Sequence, residues 1–493
     1  MDILINSFKR IWQSAGSPKF LFFFIAIWAA VVLFSGILVG DLSGYDDAAY
    51  AHEARTLLQT GDWWTMNLNG NPDFDKPPLF IWLLAISFKI FGISDFAAKI
   101  PGVILGCSTI VSVYFLAKEL FAEELKDDSN YEWLPALAAL CLATTQYFLK
   151  NSSHAMTDVP FTFFFTIAIY LYLRGLKNGI FLPASGIAIG LAMLTRSPMG
   201  FFPLVIIFLH LLFIRRFKLL ISPYFIALLL LGAALPAVWY LREYALFGDL
   251  FINRHFANFL EHSGSTGARA AGQQFLWYFE YFFLIVRLYL PWFPLMFYGL
   301  FLAFGKVRAK FSSAELLLII WFLVVLIPFS LVESKILRYI LPAFPVFSIL
   351  SAYSLVKLFS RQTLAKFSRS AVLILALAGL IIVFFPNFKK RAEDMRVIAP
   401  ISDVASNPEE KIILYTSGEL QWNYQMQLIW YGNRNTLLIK NRKEIENLLS
   451  EKKELVVVMD KLSYVDFKGE TSSQITVLGE SEKFVCFRVF FTK

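Results

Sequence analysis

FLFFFIAIWAAVVLFSGILV, Phe20 to Val39, holds no charged residue and is long enough to cross a hydrocarbon core ~30 Å thick. Lys9, Arg10 and Lys19 precede it, which predicts a cytoplasmic N-terminus by the positive-inside rule. No small-residue cleavage site follows a short apolar core, so the segment is read as a retained first helix rather than a signal peptide. The whole chain agrees: 57% of its 493 residues are hydrophobic and 17% are charged, a balance that excludes an ordinary soluble domain. The formal net charge of +8 is scattered through short loops rather than gathered on one soluble face, which argues against nucleic acid. Cys107, Cys141 and Cys486 show no paired spacing, so neither a disulfide framework nor a thiolate metal site is expected.

Further apolar segments lie near Ala97–Ala117, Trp133–Leu149, Val159–Leu173, Ile180–Leu194, Gly200–Ile214, Leu219–Leu241, Leu288–Phe304, Leu316–Leu331, Ile336–Leu358 and Ala371–Phe385. With the first they make about eleven, several shorter than the ~20 residues of a straight span. Alternation from a cytoplasmic N-terminus places RGLKNG (Arg174–Gly179), RRFK (Arg215–Lys218), GKVRAK (Gly305–Lys310) and KLFSRQTLAKFSR (Lys357–Arg369) inside, as the positive-inside rule asks. It places the loop after the first span, KNSSHAMTD (Lys150–Asp158), a long loop Arg242–Glu280, ESKILRY (Glu333–Tyr339) and the tail on the far side. This count requires Pro78–Phe91 to be an interfacial helix. From about Asn387 the composition changes. KIILYTS, NTLLIK, ELVVVMD and FVCFRVFF read as strands and KEIENLLSEKK as an amphipathic helix. The expected organisation is a membrane domain over 1–386, including a catalytic loop 41–96, and a small soluble α/β domain over 387–493.

The loop GYDDAAYAHEARTLLQTGDWWTMNLNGNPDFDKPP (Gly44–Pro78) carries the polar chemistry. Ser43 and Asp46 have capping-box-like spacing, and good helix formers follow, which puts Asp46 and Asp47 at a helix N-terminus. The helix dipole alone accounts for acids there. Their place just after a span, at headgroup depth, also suits deprotonation of an acceptor. Trp63 and Trp64 fit an interfacial aromatic belt or a binding platform, and Asn69-Gly70 marks a turn. Lys76, held extended before Pro77, is either a snorkelling anchor or a phosphate ligand. Asp158 follows His154 by four residues, too few ligands for a metal, and a helix-start acid explains it. Arg254, His255, His262 and Arg269 in the long loop join Lys335, Arg338 and Tyr339. Each alone reads as solvated or snorkelling; together they form a cationic rim.

The ordered set Asp46-Asp47-Ala48-Ala49-Tyr50, Gly61-Asp62-Trp63, Asn69-Gly70 and Phe74-Asp75-Lys76-Pro77-Pro78 resembles the first extracytoplasmic loop of the GT-C class of polyprenyl-phosphate-sugar glycosyltransferases. The resemblance is particularly to the lipid A aminoarabinose transferases and the protein O-mannosyltransferases. The resemblance continues through MTDVPFTFFFT (Met156–Thr166), LTRSPMGFFPLV (Leu194–Val205) and RYILPAFPVFSIL (Arg338–Leu350). Asp47 and Asp75 stand where that class usually has Glu. The resemblance implies an α-helical polytopic membrane protein of GT-C type, with about 11–13 transmembrane helices and a small C-terminal soluble α/β domain. It implies an inverting transfer from a polyprenyl-phosphate (undecaprenyl phosphate) sugar to lipid A, another glycolipid or glycan, or a protein hydroxyl. Asp46 would be the catalytic carboxylate and Lys76 the donor-phosphate ligand, with Arg338 and Tyr339 as further phosphate contacts. Asp47, Asp158 and His255 complete the expected substrate-binding set. No cofactor is required, a divalent metal being compatible; membrane lipids are partners and nucleic acid is not. The expected location is a bacterial plasma membrane, with the loop and the tail extracytoplasmic. The competing class is a multi-spanning lipid or sugar transporter or flippase. Carriers place charges near the midplane and interrupt paired helices there, whereas these charges concentrate at one surface.

Overall fold

The computed structural model describes residues 12–38, 40–42, 44–263, 279–331, 335–384, 393–406, 410–417, 421–452, 454–471 and 473–490. Arg269 lies outside the described residues, as does the side chain of His262. The elements run α1 (Pro18–Ile37), α2 (Gly44–Thr60), β1 (Met66–Leu68), β2 (Asn71–Asp73), α3 (Leu79–Phe91), α4 (Asp95–Leu120), α5 (Leu134–Ala143) and α6 (Gln146–Ser152). They continue with α7 (Asp158–Lys177), α8 (Phe181–Thr195), α9 (Phe202–Phe213), α10 (Pro223–Phe247), α11 (Asp249–Ser263), α12 (Glu280–Leu288), α13 (Phe293–Lys310), α14 (Ser313–Leu331), α15 (Phe344–Leu358) and α16 (Arg361–Phe384). The tail holds α17 (Glu393–Ala405), β3 (Ile412–Tyr415), α18 (Gln421–Gly432), β4 (Thr436–Ile439), α19 (Arg442–Lys452), β5 (Glu454–Asp460), α20 (Lys461–Glu470), β6 (Gln474–Glu480) and β7 (Phe484–Phe490).

All eleven apolar stretches contain helix, but they do not make eleven equal spans. Among the described residues seven helices are long and apolar enough to cross a membrane, or eight if α12 and α13, bent by 120° at their junction, form one span. The protein is an integral membrane protein. The expected helix over Trp133–Leu149 is broken instead. Thr144 Oγ1 and Thr145 Oγ1 donate back to Leu140 O and Cys141 O, at 2.7 Å each, where the chain turns from α5 into α6. Such hydroxyl back-bonding lets a helix stop in an apolar setting without orphaning its last carbonyls. The expected loop Arg242–Glu280 is also partly helical. Helix α10 runs on to Phe247, Gly248 at φ +52° ends it, and α11 starts at once. Proline in the first turn starts α5, α9, α10, α13 and α15, where its missing N–H costs nothing.

The chain divides into two compact units. The membrane unit comprises Met1–Ile37, Phe74–Phe80 and Ile100–Pro386; the loop–tail unit comprises Leu38–Asp73, Ile81–Lys99 and Asn387–Lys493. Most of the loop expected to belong with the membrane domain therefore folds with the tail. In the membrane unit the α8–α10, α13–α15, α5–α15 and α1–α16 pairs pack together, with Leu337–Leu358 the most deeply buried span. With no hydrophobic drive between helices in lipid, close approach over small residues takes its place. A Cβ at Gly186 would stand 2.2 Å from Leu228 O, so α8 and α10 touch through backbone there.

The loop–tail unit is a five-stranded sheet of order β4-β3-β5-β7-β6. Strands β4, β3 and β5 are parallel, and β7 pairs antiparallel with β5 and β6. Ile412 and Leu414 pack on one face with Met395, Ile398 and Leu428. Ile413 packs on the other with Ile445, Leu449 and Phe467. That is the period of two a strand imposes. The four strands and the helix read from the tail all form; β6 went unread because its residues stay mostly exposed. Asn69 and Gly70, at φ 54° and 82°, close the β1–β2 hairpin as the two-residue turn of positive φ that matches strand twist.

The Gly186 contact gives a stability prediction. Gly186→Val should destabilise the detergent-solubilised protein by ~1–3 kcal/mol or more, as overpacking does. Gly305→Val, where no atom lies within 4 Å of an added Cβ, should leave the melting temperature nearly unchanged. Equal effects would show that the α8–α10 contact is not tight.

Candidate active site

In the membrane unit the segment Phe74–Pro78 is held from both ends. The Phe74 ring is buried with Leu194, Trp239 and Phe251. Its carbonyl accepts from His255 Nδ1 at 2.6 Å. A carbonyl only accepts, so Nδ1 carries the proton, and in the neutral ring Nε2 accepts from Tyr240 Oη at 2.8 Å. Tyr240 also hydrogen-bonds the Ser197 side chain. Lys76 Nζ donates to Asp75 Oδ2 at 2.7 Å, with 20% of the lysine and 28% of the aspartate side chain exposed, so both remain accessible.

The second cluster surrounds Asp158, the first residue of α7 and buried. Arg196, just past the end of α8 and also buried, donates Nη1 to its Oδ1. Arg338 Nη1 lies 4.0 Å from Asp158 Oδ2 and 3.1 Å from Met156 Sδ. The Arg196 guanidinium sits 4.5 Å from the Tyr339 ring centroid, a cation–π arrangement. Asp158, Arg338 and Tyr339 thus converge, and Arg196 is what joins them. Arg196 neighbours Ser197, so a polar thread runs from the Lys76 segment through His255, Tyr240 and Ser197 to Asp158. Arg196 and Tyr240 were not read as site residues. The usable signal was a lone arginine after the apolar run of α8, since an ionisable group at such a place is rarely idle.

Asp46 and Asp47 belong to the loop–tail unit, in the first turn of α2, where the dipole favours anions. Asp47 is fully buried and Asp46 half-buried. Around them the chain is fastened to α18. Tyr431 Oη accepts from Leu42 N at 3.1 Å and donates to Asp95 Oδ2 at 3.1 Å. Trp430 Nε1 donates to Asp95 Oδ1 at 2.7 Å. Lys99 Nζ donates to Gly40 O at 2.7 Å and Asp41 O at 3.1 Å, and Arg396 Nη1 reaches Asp41 Oδ1 at 2.5 Å. On α2 itself Arg55 donates to Trp430 O at 2.8 Å and Ile429 O at 2.9 Å. Burial pulls its guanidinium down to about 10, still charged at neutral pH. Trp63 and Trp64 pack with α3: the Lys89 ammonium lies 4.9 Å from the Trp63 ring centroid, and Trp64 meets Trp82 edge-on at 5.9 Å. Among the described residues no group of three or more His, Cys, Asp or Glu could hold a metal ion.

Residues 75–240 match the family described as dolichyl-phosphate-mannose-protein mannosyltransferase. An uncharacterized protein of Aquifex aeolicus is 31% identical over 313 residues, 62% of this chain and 58% of the relative. An undecaprenyl phosphate-alpha-4-amino-4-deoxy-L-arabinose arabinosyl transferase of Pseudomonas aeruginosa is 26% identical over 323 residues, 63% of this chain and 55% of the relative. The chain therefore spans between half and three fifths of the length of these two relatives. The fold matches the crystal structure of ArnT from Cupriavidus metallidurans bound to undecaprenyl phosphate, with a TM-score of 0.70 at 18% identity, covering 94% of this chain and 97% of that one. The architecture is the GT-C fold, and the chain resembles the aminoarabinose transferases.

Two measurements test this geometry. Arg196→Met leaves a buried carboxylate without its strong partner and should cost ~3–5 kcal/mol, while the double variant Asp158→Asn/Arg196→Met should cost clearly less. Additive losses in thermal unfolding would mean that the pair is not coupled. The other concerns His52, on α2, whose Nδ1 accepts from Arg55 Nη2 at 3.1 Å. Burial, with the Arg55 charge, holds its imidazole down from 6.5 to about 3. Between those values only the unfolded chain takes up the proton. Its contribution is complete above about pH 6.5 and falls by up to ~1.4 kcal/mol per pH unit below it. A His52→Gln variant should lose that slope in melting curves taken from pH 7 down to 4; an unchanged slope would assign the acid sensitivity elsewhere.

Proposed function

We propose that this protein is an inverting membrane glycosyltransferase that moves a sugar from a polyprenyl-phosphate donor, with undecaprenyl phosphate as the carrier, to an envelope acceptor such as lipid A. Another glycolipid, a glycan or a protein hydroxyl presents the same nucleophile. The observation that carries the proposal is the convergence of Arg196, Arg338 and Tyr339 on Asp158, in a chain whose fold matches a structure holding undecaprenyl phosphate. Arg338 keeps 29% of its side chain exposed, open to an anionic ligand. We place it in a bacterial inner membrane, and the positive-inside distribution supports the loop and the tail on the extracytoplasmic side.

The donor already carries its leaving group, so the enzyme has three tasks. Asp46 takes the proton of the acceptor hydroxyl. The hydroxyl oxygen then forms a bond to the anomeric carbon as the carbon–oxygen bond to phosphate breaks, and a single displacement inverts that carbon. The bonding pair leaves with the phosphate, whose charge Lys76 meets with a charge-assisted hydrogen bond and Arg338 and Tyr339 meet as further contacts. Asp158 orients the arginines, and His255 holds the backbone that presents Lys76. Asp47, buried beside the base, orients the substrate end of α2. A monophosphate can be neutralised by these cations, so the reaction requires no metal, and a divalent ion is compatible with it.

Purified protein in detergent, given undecaprenyl-phosphate aminoarabinose or mannose and a lipid A acceptor, should transfer sugar without sealed vesicles, which transport would need. Asp46→Asn keeps the shape and a capping oxygen but cannot take a proton, so turnover should fall ~10²–10⁴-fold with donor binding retained. Lys76→Ala should raise half-saturation by donor at an unchanged melting temperature. Near-normal turnover by Asp46→Asn would remove the base assignment.

A further inference from the structure

The loop–tail unit contains a cavity of about 420 Å³, lined by His52, Thr56, Gln59, Asn67, Gly70, Glu410, Lys411, Asn433, Arg434 and Asn435. The size falls within the ~300–1,000 Å³ of small-molecule sites, but the lining is unusual: among the described residues every lining side chain carries a polar group, Gly70 having none, and no Ala, Val, Leu, Ile, Met, Phe, Tyr or Trp takes part. His52, Thr56 and Gln59 form one stripe of α2 at helical spacing, Asn67 and Gly70 come from the hairpin, and the rest flank β3 and β4.

Three features make this a built site. The hairpin is fixed to the sheet edge by a reciprocal pair, in which Thr436 N donates to Asn69 Oδ1 at 2.8 Å and Asn69 Nδ2 donates to Thr436 O at 2.9 Å. Gly70 leaves room for its neighbour, because a Cβ there would stand 2.9 Å from Asn435 Nδ2. Arg55 donates to His52 Nδ1 at 3.1 Å, which fixes the tautomer with N–H at Nε2, 3.4 Å from Thr56 Oγ1. A buried imidazole donor is thereby aimed along the stripe that lines the cavity.

We propose that this cavity binds a neutral saccharide, as a carbohydrate site additional to the transfer chemistry. Gln59, Asn433 and Asn435 each carry a donor and an acceptor on one planar group, which is what adjacent sugar hydroxyls engage, and Asn67, whose Oδ1 accepts from Gly70 N at 3.0 Å, adds its amide N–H donors. The charges favour a neutral ligand over an anion. Glu410 adjoins Lys411, and Arg434 is ion-paired with Asp403. The site does not depend on the glycosyltransferase reading, and every lining residue lies in the loop–tail unit.

The test uses the full chain in a detergent without a sugar headgroup. Saturation-transfer NMR with D-mannose, D-glucose, D-galactose and L-arabinose should show at least one binding in the millimolar range, with little dependence on salt. Gln59→Leu/Asn433→Gly removes two amides from exposed positions and keeps a residue tolerant of the positive φ at 433. It should weaken that binding about tenfold or more, as should Thr56→Val to a smaller degree, while Lys76→Ala should leave it intact. No signal from any sugar would overturn the proposal. So would displacement of the sugar by inorganic phosphate, or binding that survives in the amide variants and is lost in Lys76→Ala, which would place the sugar at the donor site.

Discussion

A backbone group inside a membrane has no water to turn to, so each amide and carbonyl must find its partner within the protein. That constraint shapes the membrane unit. It makes the apolar stretches helical and permits breaks only where something else takes over the freed groups. The threonine hydroxyls do this between α5 and α6. The same rule governs charges. Asp158 and Arg196 are tolerated at buried positions because each supplies the other's partner, and Arg338 and Tyr339 gather around that pair. A buried pair adds little net stability; what it provides is a fixed geometry for cations in a setting where they would otherwise be expelled.

The loop–tail unit solves a different problem. The helix that carries two acids in its first turn is 17 residues long and buries most of its described side chains, and such a helix takes most of its stability from packing rather than from propensity. Its fixation comes from α18. The Leu42 amide, the Asp95 carboxylate and the Arg55 guanidinium all bond to consecutive residues of that helix, Ile429, Trp430 and Tyr431. The tail is therefore a scaffold for the acid-bearing helix, which gives a structural reason for a soluble domain in a membrane protein whose proposed substrates are lipids.

Period and composition are local properties, and they carried the fold far. The uncharged run Phe20–Val39 becomes α1, Asn69-Gly70 becomes the hairpin turn, and the alternating segments of the tail become β3, β4, β5 and β7. What local pattern could not report was continuity. Eleven apolar runs gave, among the described residues, seven full-length spans, or eight with the bent pair counted, because hydrophobicity records a preference for lipid or core and not where a helix stops.

The acids, the lysine and the arginine–tyrosine pair of the candidate site were legible because each stood out against an apolar or motif-like background. Their connections were not. Arg196 meets Asp158 across 38 positions, His255 meets Phe74 across 181, and Arg55 meets Trp430 across 375. The sequence by itself determined which residues prefer helix, strand, turn or hydrocarbon, since those preferences follow from side-chain shape and solvation at each position. Only the tertiary structure decided which polar group satisfies which, because a hydrogen bond or ion pair selects its partner by distance in space, and packing alone sets that distance.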